Sequence, residues 1–370
     1  MIVPERLAKL EERIAREVDA GLLPAAQYAV GLNGEIVASN TIGDANPDTR
    51  FTIFSATKAV VASTVWTCLA EGSIKLESLV ADMIPEFATN GKEGITIEQV
   101  MLHTAGFPRN GWGPEMATSE GRRSRFAQWK TNWEPGKHYE YHATTAHWVL
   151  AELIEVATGQ NYLEVIDERV AKPLGLPRLL GFAADQQDNI AELVNVGEPP
   201  SPEELMKMLG ISELPATEVT PEALISFNEP SRRELGVPGG GGVMTATTLA
   251  SFYQGLLHNS AGIWDEAWLE DVTTHVRNSL PDPLFNVPAN RSVGLVIEGD
   301  DGKASWRGFG KTGSGRTFGH NGAGGQIAWA DPVSGLSFVY LTNGLDQDMF
   351  RQARRGVALS SIAAELTQPL

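Results

Sequence analysis

One serine and one lysine stand three residues apart in FTIFSATKAVVASTVWTCLAEG, a stretch with no other charge from Phe51 to Ala70. At that spacing Ser55 and Lys58 share one face of a helix. Ser55 sits where the helix should begin, so free backbone N–H groups and the positive end of the helix dipole favour charge developing on its hydroxyl. Apolar surroundings disfavour the ammonium form of Lys58, and a neutral lysine can take the Ser55 proton. The chemistry implied is an activated nucleophile with its base. The structural alternative is an N-cap serine beside a lysine that snorkels to the surface.

No serine lies in Gly-x-Ser-x-Gly, so the nucleophile elbow of α/β-hydrolases is absent. The glycine run 239–242 lacks a following Lys-Ser/Thr and reads as a bend, not a phosphate cradle. The histidines form no pattern that suggests zinc, and the single cysteine, Cys68, permits neither an internal disulfide nor a thiolate metal site. No cofactor or metal is expected. With a net charge of -17 the chain is a poor partner for nucleic acid or an anionic membrane.

The 370 residues, 42% hydrophobic, can bury a large core that positions this pair. The N-terminal stretch reads as an amphipathic helix with Leu7, Leu10, Ile14 and Val18 on one face and Gly21 as its stop. It has no apolar h-region, so a cytoplasmic location is expected. Asn33-Gly34 joins two strand-like runs as a hairpin. The helix begun at Ser55 runs to about Glu71 and stops at Gly72. Another covers Trp148 to Ala157 with Gly159 as its stop, and one starts near Thr245. RSVGLVIEG, GQIAWADP and GLSFVYLTN read as consecutive strands, closed by a helix over about 347–366. Strands at both ends around a helical block give an α+β fold: an antiparallel sheet built from both chain ends and flanked by helices, with an inserted, mainly helical region. The expected division is 1–85 with 236–370 as the sheet domain and 86–235 as the helical domain. The acidic, proline-rich part at about 183–235 would form a lid.

Five stretches in order, FSATKAVVASTVWTCLAEGSIKLESLVADMIPEF, VMLHTAGFP, WEPGKHYEYHATTAHWVLAELIEVATG, GVPGGGGVMTATTLASFYQGLLHN and FGHNGAGGQIAWADP, resemble the serine β-lactamase-like superfamily. That group includes class C β-lactamases, D-alanyl-D-alanine carboxypeptidases and, nearest, family VIII carboxylesterases. The resemblance implies Ser55 as the acylated nucleophile, Lys58 as its partner and Tyr141 as the tyrosine of the family's Tyr-x-Asn motif. Beside a lysine cation, that phenol could ionise well below its usual range. The literal Lys311-Thr312-Gly313 lies nine residues before the run that matches the family's third motif, so His320 takes the lysine's place. His320, Gly322 and Ala323 then edge the site, with the backbone N–H groups of Ser55 and Ala323 as the oxyanion hole.

Ala143 stands where the family has asparagine, and a weakly charged His320 attracts a substrate carboxylate less than lysine would. Both departures favour plain esters over β-lactams. The expected function is a carboxylesterase-type serine hydrolase acting on a small-molecule ester. An acyltransferase using the same acyl-enzyme, a β-lactamase or D-Ala-D-Ala peptidase, and a silent binding scaffold are the alternatives. His103, His142 and His147 are assigned packing or structural roles, and Trp112, Trp129 and Trp133 are candidate walls of an acyl pocket.

Overall fold

The computed structural model describes residues 1–215 and 217–367. Helix α1 spans Pro4–Asp19, buries Leu10 and Ile14, and gives way to Gly21 at φ 72°. Strands β1 (Ala25–Leu32) and β2 (Glu35–Gly43) follow. Their turn needs positive φ at both central residues, which Asn33 (53°) and Gly34 (91°) supply. Near the other end lie β3 (Val296–Ile297), β4 (Phe318–Gly319), β5 (Ile327–Asp331) and β6 (Leu336–Thr342). The sheet order is β2-β1-β6-β5-β4-β3, antiparallel throughout, so the two chain ends meet where β1 pairs with β6. RSVGLVIEG contributes far less strand than its composition suggests: Gly294 at φ 100° breaks the run, and Arg291 is diverted into bridges with Asn278 and Val296.

β1 is buried along its whole length because both faces are covered. Ala25 and Ala29 pack into the core around helix α2 (Thr57–Ala70), while Ala26, Tyr28 and Val30 meet α1 and the C-terminal helix. Every residue of α2 from Thr57 to Leu69 is buried, as a helix without a polar face requires. It packs against α3 (Thr145–Thr158), which Gly159 ends at φ 70°. α4 (Ala246–His258), capped by Thr245, lies on the sheet against β1 and β6, and α5 (Met349–Ala364) closes the chain. Buried Arg122, on the helix Ser119–Gln128, is clamped to Glu152 and Glu155 of α3.

The acidic segment holds two short helices with the caps its Ser-Pro and Thr-Pro pairs call for. Ser201 caps Pro202–Leu209, and Thr220 caps Pro221–Ile225. Val194–Val196 pairs in parallel with Gly344–Asp346 and ties this segment to the sheet's end. No helix among the described residues is long and apolar enough to cross a membrane.

Candidate active site

Ser55 lies in a single 3-10 turn, Phe54–Ala56, one step before α2, and not at the helix cap itself. The residue before it, Phe54, has φ 45°, a left-handed conformation that a bulky side chain adopts only under constraint. Its ring is pinned edge-on to Phe227 at 5.5 Å. Its carbonyl accepts from Thr57 Oγ1, which in turn accepts from the Gly242 N–H. The glycine bend 239–242 thus docks onto the nucleophile turn, and the short strand Phe51–Thr52 pairs with Val243–Met244 beside it.

Lys58 is fully buried. Its Nζ donates to the carbonyls of Ala143 (2.7 Å) and Gly239 (2.5 Å) and lies 3.2 Å from Ser55 Oγ. Burial, then the positive field of Arg291, hold its pKa well below the ordinary lysine value, with Glu218 pulling the other way. A neutral amine has two N–H groups and one lone pair. The two carbonyls take the N–H groups and leave the lone pair aimed at the serine hydroxyl. Gly239 has to be glycine here, because a Cβ would stand 2.9 Å from the Ala143 oxygen and 3.4 Å from Nζ.

Tyr141 is carried on the loop before α3, with its ring centroid 5.1 Å from Lys58 Nζ and 5.9 Å from the His320 ring. Its buried hydroxyl approaches Ser55 without reaching an aligned hydrogen bond. Burial pushes the phenol up, and Arg291 and Ser55 draw it back only in part. The ionised phenol that a flanking cation suggested is therefore disfavoured at rest, because burial outweighs the cation.

Arg291 is the site's cation, and no motif pointed to it. Its guanidinium lies 5.1 Å over the Tyr141 ring, donates to Tyr139 Oη (3.1 Å) and meets His320 Nε2 at 3.1 Å. Since arginine can only donate, His320 Nε2 accepts, and Nδ1–H points to the Asn321 carbonyl at 2.9 Å. Burial, Arg291 and Lys58 keep this imidazole neutral. The positive charge absent at position 320 is thus supplied by Arg291 behind it.

Gly322 lets the sheet edge approach the nucleophile turn, since a Cβ there would stand 2.1 Å from the Ile53 carbonyl. Ala323 follows it and shares a cavity of about 280 Å³ with Ser55. Among the described residues neither the Ser55 nor the Ala323 backbone N–H donates a hydrogen bond, so both remain available to an acyl oxygen. Trp112, Leu224 and Phe227 form apolar parts of the wall, and Glu218 and Arg232 bring charge to it. Trp129 packs instead with Phe107 and Phe126, and Trp133 bonds Glu140, so of the three candidate tryptophans only Trp112 lines the cavity. Lys311 and Thr312 of the literal Lys-Thr-Gly bind Ser361 on α5, away from this cavity.

His142 takes the Phe107 N–H and donates to the Glu140 carbonyl, a satisfied core histidine. His103 accepts from the His142 N–H and packs its ring 4.9 Å from Tyr141, fixing the phenol in place.

Residues 10–361 match the β-lactamase family model. The chain belongs to the β-lactamase family. Among curated relatives, esterase/beta-lactamase LipL of Mycobacterium tuberculosis is 29% identical over 315 residues, 79% of this chain and 69% of LipL. Esterase EstB of Burkholderia gladioli is 29% identical over 224 residues, 52% of this chain and 56% of EstB. The fold superposes on a family VIII carboxylesterase with a TM-score of 0.76, covering 98% of both chains at 24% identity.

Proposed function

We propose that this protein is a carboxylesterase-type serine hydrolase that cleaves small carboxylic esters through an acyl-Ser55 intermediate. The observation that carries the reading is the coordination of Lys58: two backbone carbonyls hold its N–H groups, and Ser55 Oγ lies on the third direction. Lys58 takes the Ser55 proton as Oγ attacks the ester carbonyl. The Ser55 and Ala323 N–H groups receive the oxyanion. As the tetrahedral adduct collapses, the Tyr141 phenol protonates the departing alkoxide and is reprotonated by the Lys58 ammonium, so the amine is neutral again. A water enters, passes its proton through Tyr141 to Lys58, and attacks the acyl carbon. Collapse of the second adduct expels the Ser55 alkoxide, which recovers its proton and frees the acid.

The alanine at 143 supports esters over β-lactams, because position 143 offers a backbone carbonyl already committed to Lys58 and no side-chain amide. The test is hydrolysis of p-nitrophenyl butyrate by the wild type and by Ser55→Ala. Turnover by the wild type that disappears in the variant is expected. Full activity in Ser55→Ala overturns the assignment.

A further inference from the structure

The acidic segment brings a carboxylate into the reaction cavity that the ester mechanism does not use. Glu218 lines the same 280 Å³ cavity as Ser55 and Ala323. One of its oxygens accepts from Thr144 Oγ1 at 3.0 Å, which holds it next to Ala143, the residue whose carbonyl takes Lys58. Glu218 forms no ion pair among the described residues, and Lys58 reaches it only as a field. The cavity's other charge, Arg232, is stacked on Trp112 at 4.6 Å and does not neutralise Glu218. A carboxylate without an ion-pair partner, on the wall of the nucleophile's cavity, is a charge awaiting one.

We propose that Glu218 binds an ammonium group on the acyl part of the substrate, so that the preferred esters carry an amine a short methylene chain from the scissile carbonyl. The proposal rests on the esterase reading above and names its substrate class. Leu224, Phe227 and Ala223 offer the apolar surface a methylene chain needs, and the cavity has room for a chain of a few carbons. The field of the molecule favours such a substrate: the chain carries a net charge of -17, and the segment 183–235 holds eleven acidic against three basic residues. At long range this acidic field attracts a cation to the molecule, while Arg232 and Arg291 set a positive field close to the site. Burial raises the Glu218 carboxyl to about 7, with Thr144 and Lys58 pulling it down, so a bound ammonium gains a carboxylate whose charge solvent leaves poorly satisfied.

The experiment compares ethyl 3-aminopropanoate with ethyl butanoate, nearly equal in shape, and with monoethyl succinate, in a pH-stat at mildly alkaline pH. The expected result is a preference of about tenfold or more in kcat/KM for the ammonium ester over ethyl butanoate. In Glu218→Gln that ratio collapses towards one, and Glu218→Asp keeps part of it. The absence of any preference in the wild type overturns the proposal. So does an equal fall for both esters in Glu218→Gln, which would make Glu218 only a counter-charge to Lys58. A preference for monoethyl succinate that is lost in Arg232→Gln assigns the cavity to an anionic tail and also overturns it. These results leave the esterase reading standing, whereas hydrolysis that survives in Ser55→Ala removes the reading itself.

Discussion

Replacing Arg291 by glutamine removes a charge from behind the site without touching the nucleophile or its base. Lys58 Nζ and the Arg291 guanidinium each stand 5.1 Å from the Tyr141 ring centroid, so they are at most about 10 Å apart. Two unit charges at that distance, at an effective dielectric constant of about 20, repel by roughly 1.6 kcal/mol. Arg291 lowers the Lys58 pKa through this repulsion, second only to burial. Without it the ammonium form is favoured to a higher pH. The acid limb of kcat/KM therefore moves to higher pH, and at a fixed pH on that limb kcat/KM falls roughly tenfold, the factor that 1.4 kcal/mol represents. Arg291→Lys retains the charge and most of the wild-type profile. The assay is the pH dependence of kcat/KM for p-nitrophenyl butyrate in all three proteins. An acid limb in Arg291→Gln that stays in place, or moves to lower pH, refutes the electrostatic account of Lys58.

Lys58→Ala removes the base and leaves the Ala143 and Gly239 carbonyls without their donor, so kcat for the same ester should fall by about 10²–10⁴, read from initial rates. Glu298 is buried, and burial above all pushes its carboxyl up to about 7. Its folded-state pKa thus lies above the unfolded one, so its contribution is complete below pH 4.5 and is lost as pH rises through 7. Glu298→Gln should accordingly be more stable at pH above 7, by no more than about 3 kcal/mol, with the gain vanishing in acid, as urea midpoints would report. Arg122→Leu strands the buried Glu152 carboxylate with only Ser119 and Arg123, and should cost about 3 kcal/mol. Arg122→Leu/Glu152→Leu should recover much of that loss, and a double variant no more stable than the single one counts against a stranded charge.

What the sequence made legible was local. Helical spacing and the stops at Gly21, Gly72 and Gly159 located three helices, and Asn33-Gly34 located the hairpin, because each is decided by a few consecutive dihedral angles. The order of motifs placed Ser55, Lys58, Tyr141, His320, Gly322 and Ala323 in one neighbourhood, and the structure brings those residues together. Arg291 escaped notice because its partners are distant in the chain: His320 is 29 residues away and Tyr139 is 152. Gly239 read as part of a bend, yet its carbonyl reaches Lys58 across 181 residues. Glu218 looked like one more acid in an acidic segment until the fold turned it towards Ser55. The direction of the Tyr141 shift was also beyond the sequence. A neighbouring cation argues for ionisation, and only the complete burial of the phenol shows which influence prevails.

The central claim is that Ser55 is a nucleophile activated by Lys58, and the most direct test is intact-protein mass after exposure to a fluorophosphonate probe. The account calls for a single adduct on the wild type and none on Ser55→Ala or Lys58→Ala. No adduct on the wild type, or an adduct that persists in Ser55→Ala, would contradict it.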